Sequence, residues 1–280
     1  MINDTLQRPF RDLRISVTDR CNFRCSYCMP AEIYGERYEF LSRKDLLTFE
    51  EITRLTSIFT GLGAGKVRIT GGEPLVRNEI ELLIKSLSEI NEITDLTLTT
   101  NAYLLPQKAN TLKKAGLQRV TISLDSLEDS IFKQMNGRSF GIERVLQGIK
   151  AAECAGLTPI KINCVVQKGV NDHTLVDLAR FFKNSGHIVR FIEYMDVGNR
   201  NGWELDQVVP AEEIISMINA SMPLDQIPNS YPGEVASRYI YRDGSGEIGV
   251  IASVTKPFCG DCTRLRLSPE GVIYTCLFAS

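Results

Sequence analysis

Cys21, Cys25 and Cys28 form the group of residues in this sequence best suited to metal chemistry. Their C-x3-C-x2-C spacing places three thiolates on one short loop that follows a predicted strand. A four-iron cluster is normally held by four thiolates, so three would leave one iron open to a substrate or cofactor. Zinc sites more often combine C-x2-C pairs or histidines, and neither His173 nor His187 is near a cysteine in the sequence. The spacing therefore favours a catalytic iron–sulfur cluster over a zinc site.

A second group of cysteines, Cys259, Cys262 and Cys276, is spaced C-x2-C-x13-C near the end of the sequence. It is compatible with a structural zinc site that lacks a fourth ligand and with a second cluster that has an open iron. Two further cysteines, Cys154 and Cys164, stand apart and are expected in the core. The first residues lack the layout of a signal peptide, so we expect a cytoplasmic protein whose grouped cysteines bind metal rather than form disulfides.

Basic side chains lie on several predicted strands, where charge is unusual because parallel strands are buried on both faces. Arg264 and Arg266 alternate on a short strand between cysteines, so both face the same side. Surface arginines usually form solvated faces or weak ion pairs. Charges directed into a barrel lumen instead need an anion, and a triphosphate would supply it because guanidinium groups bind phosphate in a bidentate manner. The residues in question are Arg14, Arg68, Lys161, Arg190, Arg264 and Arg266.

Alternating strand-like and helix-like segments must position these residues. The predicted strands are Leu13–Thr18, Lys66–Thr70, Asp95–Thr100, Arg119–Leu124, Ile160–Val166 and Ile188–Tyr194. The predicted helices are Thr48–Thr60, Asn78–Ile90, Gln107–Ala115, Ile142–Ala155 and Asp172–Ser185. Such strand–helix units predict a parallel sheet, either a β/α barrel or an open doubly wound sheet. In both cases, ligands bind at the C-terminal ends of the strands.

The pattern changes after Pro210. A helix over Ala211–Asn219 and a loop over Met222–Gly233 precede short strands over Arg238–Arg242, Ile248–Val254, Thr263–Leu267 and Val272–Thr275. We therefore predict a β/α region over residues 1–220 and a small β-rich region over residues 221–280 that carries the second cysteine group. With 43% hydrophobic residues, 24% charged residues and a net charge of −2, the composition is globular, with no bias toward nucleic acid or membrane. No run of about 18 apolar residues predicts a transmembrane helix.

Short polar or glycine-containing segments follow several strands. Gly71-Gly72-Glu73-Pro74 follows the second strand, Thr99 ends the third, Ser123 closes the fourth and Met195 follows the sixth. Taken singly, each is typical of a turn or a helix cap. Combined with the cysteine loop, they resemble the radical S-adenosylmethionine (SAM) superfamily, whose C-x3-C-x2-C loop holds a [4Fe–4S] cluster and whose GGEP motif binds SAM. The resemblance implies that SAM contacts Tyr27, Gly72, Ser123 and Met195, and that Thr99 faces the substrate.

Four segments narrow the resemblance to one family: the Arg14–Cys25 opening, Ile69–Leu75, Gly260–Leu265 with Arg266, and the late Cys276. Together they are similar to the GTP 3′,8-cyclase family of molybdenum cofactor biosynthesis, over essentially the whole chain. The resemblance implies an α/β fold, an incomplete TIM-like (β/α)6 barrel with a small C-terminal β-rich extension, two [4Fe–4S] clusters and SAM. One departure is Ala102, where the family often has glycine.

The family's reaction converts GTP to 3′,8-cyclo-7,8-dihydroguanosine 5′-triphosphate, the first step of molybdopterin biosynthesis. SAM on the first cluster yields a 5′-deoxyadenosyl radical that removes hydrogen from C3′, and the carbon radical attacks C8 of guanine. The open iron of the second cluster would hold the guanine. The resemblance implies that the triphosphate and ribose contact Arg14, Arg68, Thr99, Lys161, Arg190, Arg264 and Arg266.

The resemblance also implies an electron donor and a downstream molybdopterin-pathway enzyme, and it is compatible with a homodimer. The family finishes in a Gly-Gly tail beyond the last cysteine, whereas this sequence ends at Ser280, four residues after Cys276. We expect SAM cleavage not to require that tail.

Three alternatives compete with this interpretation. The first is another radical SAM enzyme with an auxiliary cluster, acting on a peptide or a small molecule. The second is a protein that stores iron–sulfur clusters or transfers electrons, which would have no use for a SAM-binding motif such as Gly71–Pro74. The third is a zinc-stabilised barrel, which metal analysis distinguishes from the others.

Overall fold

Parallel strands and the helices between them form the centre of the computed structural model, which describes residues 3–197, 202–231 and 233–279. The strands are β1 (Asp12–Ser16), β2 (Lys66–Thr70), β3 (Asp95–Thr100), β4 (Arg119–Ser123), β5 (Lys161–Val166) and β6 (Ile188–Glu193). Each pairs in parallel with the next in chain order. The six predicted strands are confirmed, because β-branched residues and strict alternation mark them in the sequence.

The connecting helices are α1 (Phe49–Gly61), α2 (Ile80–Ser88), α3 (Leu105–Lys114), α4 (Asp129–Asn136), α5 (Glu143–Cys154) and α6 (Leu175–Phe182). Five of them match predicted helices to within three residues at each end. At the start of α1, Thr48 and Glu51 form a capping box, as the Thr cap and the acidic first turn predict. Helix α4 was not predicted, because it is short and lies in a segment without a clear start signal.

The C-terminal region joins the same sheet on both sides. It contains α7 (Ala211–Ser221), β7 (Leu224–Ile227), β8 (Ser237–Tyr241), β9 (Glu247–Ile251), β10 (Arg264–Leu267) and β11 (Ile273–Tyr274). Strand β10 pairs in parallel with β1, and β9 pairs in parallel with β6. Within the described residues, the strand order is β11-β10-β1-β2-β3-β4-β5-β6-β9-β8-β7, so the sheet is open, as an incomplete barrel requires.

Two expectations for individual segments are wrong. Strand β7 lies within Met222–Gly233, where the Pro-, Asn- and Ser-rich composition predicted a loop. Cys154 is exposed near the end of α5, whereas Cys164 is buried as expected. The division of the chain at residue 220 stays a prediction, and the sheet runs continuously across it.

The two faces of the central sheet differ in chemistry. On β1, Leu13 and Ile15 are fully buried in the core beneath the helices, while Arg14 on the other face is half-buried. On β2, the Lys66 Nζ donates at 2.9 Å to the hydroxyl of Tyr231, which lies between β7 and β8. In a flat sheet, β2 and β8 would be about 29 Å apart, since they are separated by several steps of about 4.8 Å each. The sheet is therefore curved, and we call the space enclosed by its charged face the lumen.

One buried carboxylate fixes the C-terminal region to the end of β6. Glu193 accepts hydrogen bonds from the backbone N–H groups of Ala211, Val254 and Thr255 and from the Thr255 hydroxyl. These contacts hold the start of α7 and the segment after β9. Among the described helices, none combines the length and the apolar character needed to cross a membrane.

Candidate active site

The loop that follows β1 carries Cys21, Cys25 and Cys28, and α4 supports it from below. The backbone N–H of Arg24 donates to the Asn136 carbonyl at 2.8 Å, and that of Ser26 donates to the Met135 carbonyl at 3.2 Å. Gly137 ends α4 with a φ of +61°, and a Cβ there would lie 2.0 Å from the Arg24 carbonyl oxygen. Only glycine allows this close approach. Helix α4 thus places the middle of the cysteine loop.

The Arg24 side chain folds the loop back on itself. It is 9% exposed and donates to the Cys21 and Phe23 carbonyls, both at 2.7 Å, and to the Tyr34 carbonyl at 2.6 Å. Because the arginine is buried among backbone oxygens, it satisfies groups that the tight loop leaves without secondary-structure partners. The loop conformation is therefore determined by this chain's own side chains.

Burial controls the thiols of the first group. It raises the pKa of Cys21 to about 12, raises that of Cys25 well above its usual value, and raises that of Cys28. Such thiols are protonated at neutral pH and become thiolates only when a cation replaces the proton. Within the described residues, no group of three or more His, Cys, Asp or Glu side chains is arranged around a single-ion position. A four-iron cluster does not need one, because each thiolate binds a different iron.

Gly72 brings the end of β2 against the cysteine loop. A Cβ at Gly72 would lie 2.3 Å from the Arg20 carbonyl oxygen, and the Gly72 N–H donates to the Thr18 carbonyl at 2.7 Å. The glycine pair was expected to admit a ligand, and this structure shows that Gly72 is also required by the loop backbone. Gly72 lines one cavity together with the three cysteines, and Tyr27, Thr99 and Ser123 line it as well. Met195 is half-buried just beyond β6.

Sequence reasoning missed a buried polar chain that connects the strand ends to this loop. Glu73, 2% exposed, accepts from the Thr100 hydroxyl at 2.8 Å and from the Asn101 N–H at 2.7 Å. Burial raises the pKa of Glu73 to about 7. The Asn101 side chain donates to the Asn22 Oδ1 at 2.8 Å, within the cysteine loop. Glu73, the glutamate of the GGEP segment, was the sequence feature from which this network could have been predicted.

The second cysteine group lies at the opposite end of the lumen. Cys262 precedes β10 by two residues, and Cys276 follows β11, which pairs antiparallel with β10, so both lie at the N-terminal end of β10. Strands β1 and β10 are parallel, with Asp12 opposite Arg264. The first cysteine group follows the C-terminal end of β1, so the two groups lie beyond opposite ends of the same pair of strands.

Arg264 contacts Cys262 of the second cysteine group. Its Nε donates to the Cys262 Sγ at 3.3 Å, and its guanidinium lies over the Phe258 ring at 4.7 Å. Although burial raises the pKa of Cys262, the Arg264 N–H and the charges of Arg264 and Arg266 outweigh it and lower the pKa. A thiol of this kind is a good metal ligand. The structure therefore connects Arg264, predicted as a GTP contact, with a cysteine.

Cations line the lumen between the two cysteine groups. By register, Arg14 lies between Arg68 on β2 and Arg266 on β10. Burial, with the charges of Arg68 and Arg264, lowers the pKa of Arg14 to about 9. Burial and neighbouring cations likewise lower the pKa of Arg68 to about 9 and that of Lys161 to about 8. These cations repel one another, and a bound anion would relieve that repulsion. The lumen is therefore suited to bind an anion.

Hydrogen bonds orient several of these cations. Arg68 donates to the Thr99 and Thr121 hydroxyls, both at 3.0 Å, and Arg190 donates to the Asn163 Oδ1 at 2.9 Å. Among residues 3–197, 202–231 and 233–279, no ion pair involves the cations predicted to bind GTP, and the Arg266 Nη1 is buried without a hydrogen-bond partner. Unpaired cations that are partly withdrawn from water are costly unless a ligand compensates them.

Two further lumen cations were missed, and both have partners. Arg119 bonds to Asp95, and Lys66 lies 3.6 Å from both Asp12 and Asp95. The Lys66 Nζ also donates to the Tyr231 hydroxyl at 2.9 Å. Each of these two cations stands at a strand start in the sequence, beside an aspartate on a neighbouring strand. They are thus distinguished from the unpaired set by their carboxylate partners.

Known proteins of similar sequence agree with this geometry. The sequence model of the radical SAM superfamily matches residues 15–182, and that of Molybdenum Cofactor Synthesis C matches residues 187–280. The GTP 3′,8-cyclase of Acidothermus cellulolyticus is 56% identical over 278 residues, which cover 99% of this chain and 77% of that protein. The GTP 3′,8-cyclase of Staphylococcus epidermidis is 48% identical over 280 residues, covering 100% of this chain and 82% of that protein. This chain belongs to the GTP 3′,8-cyclase family.

Solved structures confirm the fold of this family member. SuiB of Streptococcus suis bound to S-adenosylmethionine superposes with a TM-score of 0.70 at 18% identity, covering 96% of this chain. This chain spans about 60% of the length of SuiB. At that identity the likeness shows the radical SAM fold alone. Family membership confirms that the chain is an enzyme, with SAM and iron–sulfur clusters as its cofactors.

Proposed function

We propose that this chain converts GTP to 3′,8-cyclo-7,8-dihydroguanosine 5′-triphosphate, in the first step of molybdopterin biosynthesis. The observation that carries the proposal is the lumen itself, with unpaired cations between two cysteine groups at its opposite ends. A nucleoside triphosphate has an anionic part that complements those cations and a base that extends away from it. Curated relatives named GTP 3′,8-cyclase, aligned over the whole chain, support the same substrate.

Residues at one end of the lumen would hold SAM and its cluster. Cys21, Cys25 and Cys28 are the proposed ligands of the first [4Fe–4S] cluster, because all three line one cavity and their pKa values are raised, which keeps the protons on the thiols until a cation replaces them. When bound, this cluster supplies the electron that cleaves SAM to a 5′-deoxyadenosyl radical. Gly72, Tyr27 and Ser123 line this cavity, and Met195 follows the end of β6. We assign these four residues to SAM.

The lumen cations would bind the triphosphate and ribose. Arg14, Arg68 and Arg266 lie side by side on three neighbouring strands, and Lys161 and Arg190 face them from β5 and β6. Because Arg68 already donates to the Thr99 hydroxyl, Thr99 orients a phosphate-binding group as well as lining the SAM cavity.

The second cysteine group would hold the other cluster. Cys259, Cys262 and Cys276 are the proposed ligands, and Arg264 stabilises the Cys262 thiolate directly. When bound, that cluster would supply a binding group for the guanine at this end. Arg264 thus contributes to GTP binding mainly through the cysteine it contacts.

The surroundings of the enzyme are part of the same proposal. The reaction requires a one-electron donor from outside the chain, and its product passes to a downstream enzyme of the molybdopterin pathway. We also propose a cytoplasmic location and a homodimer. Sedimentation of the cluster-loaded protein tests the homodimer, because a monomer at all concentrations would contradict it.

The test of the function is the response of SAM cleavage to GTP. The anaerobically reconstituted protein is incubated with SAM and reductant, with GTP, ATP or no nucleotide, and 5′-deoxyadenosine is quantified. We expect GTP to increase 5′-deoxyadenosine formation and ATP to do so far less. Cleavage that is indifferent to GTP would reject the cyclase function and leave another radical SAM activity. Arg190→Ala should weaken the GTP response, whereas Arg54→Ala, on the exposed face of α1, should not.

A further inference from the structure

A buried hydrogen bond joins the cysteine loop to the end of β4. The Tyr27 hydroxyl donates to the Asp125 Oδ2 at 2.8 Å, and Asp125 is 5% exposed. Tyr27 lies between Cys25 and Cys28, whereas Asp125 follows β4 by two residues. Both residues line the cavity that contains the three cysteines. The bond therefore connects the loop to a different strand end from the one that Asn101 reaches.

The carboxylate is held by groups other than Tyr27. Its Oδ1 accepts from the Val165 N–H on β5 at 2.9 Å, and the Asp125 carbonyl accepts from the Asn171 Nδ2 at 2.8 Å. Asn171 is fully buried and also donates to the Val165 carbonyl at 2.8 Å. Because β5 and Asn171 fix Asp125, it is the orientation of the Tyr27 ring that this hydrogen bond determines.

The protonation state of Asp125 agrees with this direction of donation. Burial raises the pKa of Asp125 only to about 6, so at pH 7 and above the carboxylate is ionised and accepts. A hydrogen bond from a neutral donor to a buried carboxylate is among the stronger kinds in proteins.

We infer that Asp125 is a positioning residue for SAM, which acts by fixing the Tyr27 ring in the orientation that contacts SAM. The inference rests on the proposed function, since it places SAM in this cavity. Without the hydrogen bond, the ring would lose one of the contacts that orient it, and part of the binding free energy would be spent on ordering it. The expected consequence is weaker SAM binding with little change in the rate at saturating SAM.

A double-mutant cycle tests this coupling. Tyr27→Phe keeps the ring and removes the donor, Asp125→Ala removes the acceptor, and the double variant removes both. Cluster-loaded protein is assayed for iron content and for equilibrium SAM affinity by dialysis. The rate of SAM cleavage is then measured over a range of SAM concentrations, which separates KM from kcat. The control is Tyr241→Phe, which removes the hydroxyl of a buried tyrosine that donates to the Ala179 carbonyl outside this cavity.

We expect each single variant to bind SAM about tenfold more weakly, and the double variant no more weakly than Asp125→Ala, with normal iron content. Asp125→Asn tests the same point without a cavity, because its amide retains the acceptor for Val165 and can donate to the Tyr27 oxygen. It should bind SAM more tightly than Asp125→Ala. Tyr241→Phe should match the wild type.

Several results would overturn the inference. Wild-type SAM affinity in Tyr27→Phe would show that the hydroxyl is irrelevant. If the double variant weakened SAM binding by the product of the two single-variant factors, Tyr27 and Asp125 would act independently. If Asp125→Asn bound SAM as weakly as Asp125→Ala, SAM binding would depend on the charge of Asp125 and not on the hydrogen bond. A wild-type enzyme that binds no SAM would instead overturn the proposed function, and this inference with it.

Discussion

Replacing Lys161 by methionine should make the nucleotide-free protein more stable and, at the same time, weaken its binding of GTP. The Lys161 ammonium lies in the lumen near other cations, and burial, followed by the charges of Arg190 and Arg119, lowers its pKa from 10.5 to about 8. A lowered lysine pKa means that the folded state disfavours the charged form. Methionine has a similar length and carries no charge.

The magnitude follows from that pKa. At about 1.4 kcal/mol per pKa unit, the ammonium destabilises the fold by at most about 3 kcal/mol at pH 7. Solvent screening of this half-buried group reduces the figure to roughly 1–3 kcal/mol. For a chain of this size, about 2 °C of Tm corresponds to 1 kcal/mol, so Lys161→Met should raise the Tm by roughly 2–6 °C. Loss of a charged phosphate contact should weaken GTP binding by about tenfold or more.

The pH dependence gives an independent check. Between about pH 8 and 10.5, the unfolded state binds more protons at this position than the folded state, so wild-type stability gains with rising pH. The Tm advantage of Lys161→Met should therefore be largest at pH 7 and shrink above pH 8. The assay is thermal unfolding of cluster-loaded, nucleotide-free protein, paired with GTP binding. Lys85→Met, on the exposed face of α2, is the matched control. A less stable Lys161→Met variant, or one that binds GTP normally, would refute the account of the lumen.

Three further predictions concern the clusters, the triphosphate and the backbone. Cys25→Ala should abolish SAM cleavage while iron bound at the second site persists, and Cys262→Ala should show the reverse pattern of iron loss, both measured by iron analysis and spectroscopy of anaerobic protein. Arg266→Ala should weaken GTP binding by about tenfold and leave SAM binding near normal; equal losses of both would indicate misfolding. Ala102 has a φ of +62°, so Ala102→Gly should raise the free energy of unfolding by about 0.5–1 kcal/mol. Gly148→Ala should lower the free energy of unfolding, because the added Cβ would lie 2.6 Å from the Ala102 carbonyl oxygen. Chemical denaturation of both variants checks the two predictions.

The parts of the fold that depend on local sequence could be predicted. The central strands alternate buried and lumen-facing residues, and this period of two is visible in stretches such as Lys66–Thr70. The cysteine loop was predictable because its three cysteines are close in sequence. Helix α4 was not, since its importance lies in the Met135 and Asn136 carbonyls, which carry no signal in the sequence.

The placement of the C-terminal strands depends on tertiary pairing. The sequence predicts most of these strands, yet β10 adds to β1 while β9 adds to β6, on opposite sides of the central sheet. Nothing in a short strand such as Arg264–Leu267 specifies its partner. That pairing is what places the two cysteine groups at opposite ends of the lumen.

The candidate site was predictable in composition and less so in its contacts. The unpaired charges of Arg14, Arg68 and Lys161 follow from their positions on buried strands. The contact of Arg264 with the Cys262 Sγ does not, because it depends on how one side chain turns beside a short helical segment. Ala102 is a similar case. The sequence shows an alanine where the family often has glycine, but only the structure shows its positive φ, which disfavours alanine.

The most direct test of the central claim, that the lumen directs a SAM-derived radical at GTP, is the fate of the hydrogen on C3′. The cluster-loaded protein is incubated with SAM, reductant and GTP deuterated at C3′, and the 5′-deoxyadenosine is analysed by mass spectrometry. The account predicts one deuterium in the 5′-deoxyadenosine formed in the presence of this nucleotide. Unlabelled 5′-deoxyadenosine, formed in the same amount with and without GTP, would contradict it.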